Sequence, residues 1–402
     1  MKTPADPIHR WTLPLAALAL AATALAAAPT RAAETEPPLE TEFDLDDGFV
    51  VRGDGWRASA GARLHLDAAS FSGGDVRDAD DGLLVRRARL GGRAEYGDWS
   101  ARADYELGSV GRGWKNAWVG YQPNRRSSLR VGSQVAPFGL EDTMSSDDLP
   151  FLERSSAGAL GPGLLTGVAY RTRTDRWTFA IGGFGNNLSD DDRRDLDGRS
   201  LVARVTHVPY RGDGVLVHVG ASGEYRDASG DATFRLRPPV GTRVGDLRLL
   251  DTTRLTGVQT LTNLGLEAGA RVGAFTLQGE YVQSQLARRN ATDPAFAGWY
   301  VGGTWALTGE RRRYSRGSGA FGALEKPDGR WGAIELAVRY GTLDLVDAGV
   351  DGGTEESLGV GVNWYVTPKI RAMLSHQRID AERGGRDLDA PSLTMLRMQA
   401  SF

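Results

Sequence analysis

The stretch LTMLRMQASF, residues 393–402, sets the terms for the rest of the chain. Taken in steps of two, Leu396, Met398, Ala400 and Phe402 fall on one side and Met395, Arg397, Gln399 and Ser401 on the other, the period of a strand with two unlike faces. WRASAGARLHLDA, from Trp56 to Ala68, repeats the alternation with Trp56, Ala58, Ala60, Ala62, Leu64, Leu66 and Ala68 on one face and Arg57, Ser59, Arg63, His65 and Asp67 on the other. Strands of a soluble sandwich usually hold about 5 or 6 residues, and this one is about twice as long. The pattern recurs around Trp99–Leu107, Trp177–Ile181, Val215–Glu224, Phe275–Tyr281, Trp299–Leu307 and Ile334–Tyr340. Throughout, the apolar face mixes Leu and Val with Ala and Gly and carries aromatics at segment ends, while the other face is charged. A soluble core is built from larger side chains; lipid tails tolerate this mixture, and terminal aromatics match interfacial girdles.

The expected fold is therefore all-β, a transmembrane antiparallel β-barrel of about sixteen strands. Closure removes the sheet edges that lipid could not satisfy. Short connections (Tyr210 to Gly214, Val272 to Ala274, Thr367 to Lys369) read as periplasmic turns, and long polar ones (Asn186 to Arg199, Arg226 to Leu255, Thr308 to Arg330) as extracellular loops. Ahead of the barrel, Lys2, His9 and Arg10 precede the run LPLAALALAATALAAA and small residues suited to cleavage, so residues 1–33 read as a signal peptide. Residues 34–55, acidic and Pro-containing, read as a short unpatterned periplasmic segment, leaving 56–402 as the barrel domain in the outer membrane.

Charge and composition exclude several functions. Among 402 residues there is no Cys, and a formal net charge of −3 argues against a nucleic-acid partner. Nearly all the positive charge is arginine, since the lysines are Lys2, Lys115, Lys326 and Lys369. No cofactor or metal spacing is present. His207 and His218 flank a turn and could pair by accident, and Gly317-Ser318-Gly319-Ala320-Phe321-Gly322 matches a dinucleotide fingerprint in form but lacks the strand and helix around it.

VRRARLGGRAEY (Val85 to Tyr96), LRVGSQVAPFGLEDTMSSDDLPFLERS (Leu129 to Ser155), VLVHVGASGEYRD (Val215 to Asp227), ALTGERRRY (Ala306 to Tyr314) and LGVGVNWYV (Leu358 to Val366) together resemble the phosphate-selective porin O and P family. That resemblance implies a homotrimer of sixteen-stranded barrels in outer-membrane lipid, a third extracellular loop folded into each lumen, and a ladder of arginines for phosphate or other small anions. It also implies recognition of the terminal Phe402 by the barrel assembly machinery. Carried over residue by residue, the ladder falls on Arg86, Arg87, Arg235, Arg237 and Arg243, with a further rung landing on Pro239. Arg154 and Lys115 are additional candidate pore-lining cations. The constriction loop falls on Glu141, Asp142, Ser145, Ser146 and Asp147, where Asp142 and Asp147 stand in place of lysines.

Two tensions follow. Strict alternation would turn Arg86 to the lipid, so it needs a bulge or a place above the membrane. The acids of the loop either repel phosphate or pair with wall arginines and fix the loop. As an acidic ring they weaken phosphate preference, and Asp142→Lys with Asp147→Lys would then raise phosphate affinity. The remaining alternatives are a weakly selective porin for small polar solutes and a structural barrel plugged by its own loops.

Overall fold

The computed structural model describes residues 40–44, 48–74, 80–189, 196–245, 247–327 and 329–402, so the signal segment 1–33 lies outside the described residues. In chain order the strands are β1 (Glu40–Asp44), β2 (Gly48–Gly53), β3 (Trp56–Ser72), β4 (Gly82–Tyr96), β5 (Trp99–Glu106), β6 (Gly113–Tyr121), β7 (Ser127–Val135), β8 (Leu164–Arg173), β9 (Trp177–Phe184), β10 (Gly198–Gly212), β11 (Val215–Phe234), β12 (Leu255–Val272), β13 (Phe275–Arg288), β14 (Ala295–Ala306), β15 (Arg312–Ser315), β16 (Ala320–Leu324), β17 (Ala333–Asp347), β18 (Val350–Tyr365), β19 (Ile370–Arg383), β20 (Arg386–Leu388) and β21 (Ser392–Ser401). Sixteen of them, β3 to β14, β17 to β19 and β21, pair antiparallel in sequence order. The sheet closes where β21 meets β3, from Ser392 opposite Ser72 to Ser401 opposite Arg63. The fold is a closed antiparallel barrel, as the alternation requires.

The two faces separate by residue parity. Leu64, Leu66, Leu264, Leu266, Val360, Val362, Leu396 and Met398 are exposed on the outside, and polar groups such as His65, Asp67, Glu267, Asn363 and Arg397 are buried within. Trp99, Trp177, Trp299 and Phe402 all lie on the outer face. Rings cluster near the strand ends, with Trp99 4.9 Å from Tyr121 and Phe275 5.1 Å from Trp305. The β10–β11 turn is Asp213-Gly214, both at positive φ (50° and 78°), the two-residue form whose twist matches the flanking strands.

Two expectations are corrected. Residues 34–55 are not wholly unpatterned: β1 pairs with β2, and β2 takes the edge of β3 below the terminus of β21, with Gly53 opposite Trp56. The segment 308–330, expected outside the cell because of its length, joins β14 to β17 on the same end as the short turns. Strand direction decides the side; length does not. There the β15–β16 hairpin enters the turn-side end of the lumen; Gly317 and Gly319 lie in its turn and Gly322 on β16. Thr178 donates to the Arg316 carbonyl (2.8 Å), Arg204 donates to the Gly319 carbonyl (2.8 Å), Tyr314 meets His218 (2.8 Å), and Arg312 pairs with Glu335 (2.7 Å).

Nor is the interior polar throughout. Phe138, Leu152 and Leu160 from the 136–163 connection pack with Leu236, Leu247 and Leu249 from the 235–254 connection, against inward Leu261, Val282, Leu286, Leu343 and Met373. A second cluster joins Leu140, Met144 and Leu149 to Phe321 of the hairpin and to Val208 and Leu216 of the wall. Together these contacts fill the lumen beside β10 to β19 and leave space along β3 to β6.

Candidate functional site

That space is a cavity of about 600 Å³. Its wall side is set by two breaks in register. Opposite His65 stands Arg87, but opposite Leu66 stands Val85, so Arg86 is the extra residue of a bulge. The bulge resolves the parity conflict, and Arg86 and Arg87 both line the cavity. Between β5 and β6, Ala103 faces Ala117 while Tyr105 faces Trp114, so Lys115 and Asn116 together oppose Asp104. Asn116 donates to Asp104 at 2.8 Å, and Lys115 lines the cavity with Arg63, Arg89 and Arg102.

The connection 136–163 bounds the cavity on the other side and is tied to inward-facing side chains of the wall. It opens at Gly139, whose φ of 67° and whose missing Cβ, which would stand 2.8 Å from Glu280, let the Leu140 and Glu141 amides donate to the Glu280 carboxylate (2.5 and 2.9 Å). Glu141 pairs with Arg339 at 3.2 Å and accepts from the Ser155 amide at 2.8 Å. Arg154 reaches Asp142 at 3.3 Å and also donates to the Glu141 and Met144 carbonyls, 2.9 Å each. Asp147 meets Arg63 at 2.7 Å and His65 at 2.9 Å, and Ser146 accepts from Arg63 at 3.2 Å. The Ser145 hydroxyl accepts from the Asp147 amide at 3.4 Å.

Glu153 is held twice, by Arg86 at 2.5 Å and by Arg397 at 3.2 Å. Arg397 also grips Asp67 through two bonds of 2.6 and 2.7 Å and donates to the Leu152 carbonyl at 2.6 Å. Of the two readings of these acids, pairing with arginines is the one the geometry supports. Glu141, Asp142, Asp147 and Glu153 each have a cationic partner and do not stand as a bare filter. Burial would raise the Asp147 carboxyl, but the Arg63 charge and the His65 hydrogen bond overcome it and hold it at about 2. Burial acts likewise on Glu153, where Arg86 and then Arg397 draw it well below the ordinary carboxylate range.

The Asp147 anchor has a defined pH window. A carboxyl lowered on folding contributes its full stabilisation above its unfolded value of about 4 and loses it as pH falls toward the folded value. With the folded value at about 2, single-channel conductance and noise are expected to stay constant from neutral pH to about 4 and to change below it, where this tether fails. A conductance step centred near pH 6 would assign control to a different group.

The 235–254 connection behaves unevenly. Arg237 and Arg243 line the cavity, joined by Arg248, which donates to the Arg237 carbonyl. Arg235 is turned instead to Asp251, with bonds of 2.9 and 2.5 Å, and those bonds lower the Asp251 carboxyl. Sequence reasoning missed Arg63, Arg89, Arg102, Arg248, Arg339 and Arg397; inward parity on β3 and β21 already marked Arg63 and Arg397. His207 and His218 do not pair. His207 stacks on Trp177 at 4.0 Å, and His218 sits buried between Tyr314 and Glu267.

A family profile, phosphate-selective porin O and P, matches residues 59–402. The chain belongs to this family. Porin O of Pseudomonas aeruginosa is 28% identical over 364 residues, 80% of this chain and 83% of that protein. Among solved structures, OmpT of Vibrio cholerae superposes with a TM-score of 0.56 at 13% identity, covering 88% of this chain and all of that one. An anion-selective porin from Comamonas acidovorans gives 0.54 at 13% identity, over 86% of this chain and 100% of its own. These likenesses concern the fold. Family membership and barrel together make the chain an outer-membrane porin of bacteria.

Proposed function

We propose that this porin conducts small anions, phosphate among them, through the cavity beside β3 to β6, with residues 136–163 as its constriction loop. One observation carries the reading: ten cationic side chains line the cavity against the carboxylates of Asp142 and Glu153. Guanidinium groups stay charged at any working pH and offer planar donors to oxyanions. A series of such weak sites replaces hydration stepwise without trapping the ion. In this reading Arg86 and Arg154 serve first as tethers of the loop. Arg87 is the wall group free to meet the solute, because its Nε is buried without a hydrogen-bond partner and no carboxylate pairs with it among the described residues. The family name and the anion-selective relative of like fold support anion preference. A homotrimer in outer-membrane lipid, assembled through recognition of Phe402, belongs to the same reading, which assigns the protein no catalytic step.

Reversal potentials in a potassium chloride gradient test it. The unmodified protein is expected to favour chloride, and Arg87→Gln to lower the anion-to-cation permeability ratio several-fold, less so at 1 M salt where the Debye length is about 3 Å. A cation-favouring reversal potential, or no conductance, would overturn the proposal.

The tethering of Asp147 also reverses the earlier expectation for its replacement. Asp147→Lys would set a second cation beside Arg63 and remove the acceptor that His65 meets, so it is expected to loosen the loop and increase current noise, with no gain in phosphate block. Tighter phosphate block with unchanged noise would restore the acidic filter.

A further inference from the structure

The conducted solute can be narrowed further, on the premise that the porin reading holds. Cations dominate the β3 to β5 wall, but the two connections also bring an apolar lining to the same cavity: Leu236, Pro238, Pro239, Ala159 and Pro162. Pro239 and Ala159 are the partly exposed members of this group. Two consecutive prolines present carbonyl acceptors and no N–H, so this part of the loop has no backbone donors for a phosphate oxygen. An ion filter surrounds its ion with polar groups that replace the hydration shell. Here Pro238 and Pro239 lie in the chain between Arg237 and Arg243, so an inorganic anion among these cations shares the cavity with ring carbons that offer it nothing. The volume points the same way. About 600 Å³ is within the range of pockets that take an organic ligand, and the lining, mostly polar, gives such a ligand an apolar contact along the two connections.

We infer that the cavity is shaped for an amphipathic organic anion, a carboxylate or phosphoryl head group on a compact apolar body, with the head at Arg87 and the body against Pro239 and Ala159. Inorganic phosphate passes as the head group alone.

Block of single-channel chloride current separates the possibilities, comparing phenyl phosphate with inorganic phosphate at equal charge. Phenyl phosphate is expected to block at a concentration at least tenfold lower, which corresponds to about 1.4 kcal/mol. Pro239→Asn, which removes ring carbons and adds donors, should reduce that ratio toward one, and Ala159→Ser, which preserves the loop backbone, should reduce it in the same direction. Equal block by the two anions in a pore whose reversal potential still favours chloride would overturn the amphipathic assignment and leave the anion porin standing. A cation-favouring reversal potential would remove both.

Discussion

Replacing Arg397 with methionine is expected to cost about 3–5 kcal/mol and to loosen the 136–163 connection, because it leaves the buried Asp67 carboxylate without its cation and Glu153 with Arg86 alone. Methionine preserves the apolar stem, so the loss reports the guanidinium and not the volume. The change should appear as a lower melting temperature of the folded barrel in detergent and as rapid flicker between conductance levels in planar bilayers. Adding Asp67→Asn to Arg397→Met should recover part of the stability, since one uncompensated charge is removed, while the flicker persists because Glu153 remains half-held. If Arg397→Met melts and conducts like the parent, the bond from Arg397 is redundant and Arg86 suffices to hold Glu153.

The second large effect is expected at Gly359. This inward position of β18 leaves a hollow occupied by the ring of Phe151, and a Cβ placed there would stand 3.0 Å from Phe151 Cε1. Arg339 covers the same ring at 4.6 Å and pairs with Glu141. Gly359→Leu therefore pushes on the loop and one of its anchors at once, at an overpacking cost of about 1–3 kcal/mol. The expected result is a changed mean conductance with the barrel still assembled. Gly361→Ala, where the nearest atoms lie at 3.4 and 3.5 Å, is the matched control and should behave like the parent. Identical conductance in both variants would show that the loop is positioned without Phe151.

Much of the fold was legible because lipid exposure imposes one rule on every strand. Leu396 and Met398 had to face out, and Arg397 in, whatever lay inside. The bulge at Arg86 was demanded by the same rule, since two adjacent arginines cannot both alternate inward. The lumen obeys no comparable rule. Whether an inward Glu or Asp faces solute or a guanidinium depends on which distant strand lies opposite, so Asp147 with Arg63, and Glu153 with Arg397, could not be paired from spacing. Arg235 and Arg237 are two residues apart on the same connection, yet one is hydrogen-bonded to Asp251 while the other, 3.9 Å from the same carboxylate, lines the cavity. The side of the 308–330 segment failed for a different reason: its length suggested an external loop, and only the direction of β14 places it on the turn side. Inward glycines offered a signal that went unused. On the inward face of β18, between Ser357 and Asn363, Gly359 marks where something else must fit.

The closing pair β21–β3 carries both halves of one clamp, Arg397 on β21 and Asp67 on β3, directly opposite each other in register. Until those two strands meet, the guanidinium has no Asp67 and Glu153 has lost its second holder. The 136–163 connection therefore gains this anchor in the same event that joins the first wall strand to the last. Assembly order follows from this: a barrel still open at that seam has a loose interior, and a correctly seated interior reports that the seam has shut. A protease that cuts between Glu141 and Arg154 in the open form and not in the closed one would time the two events against each other during folding.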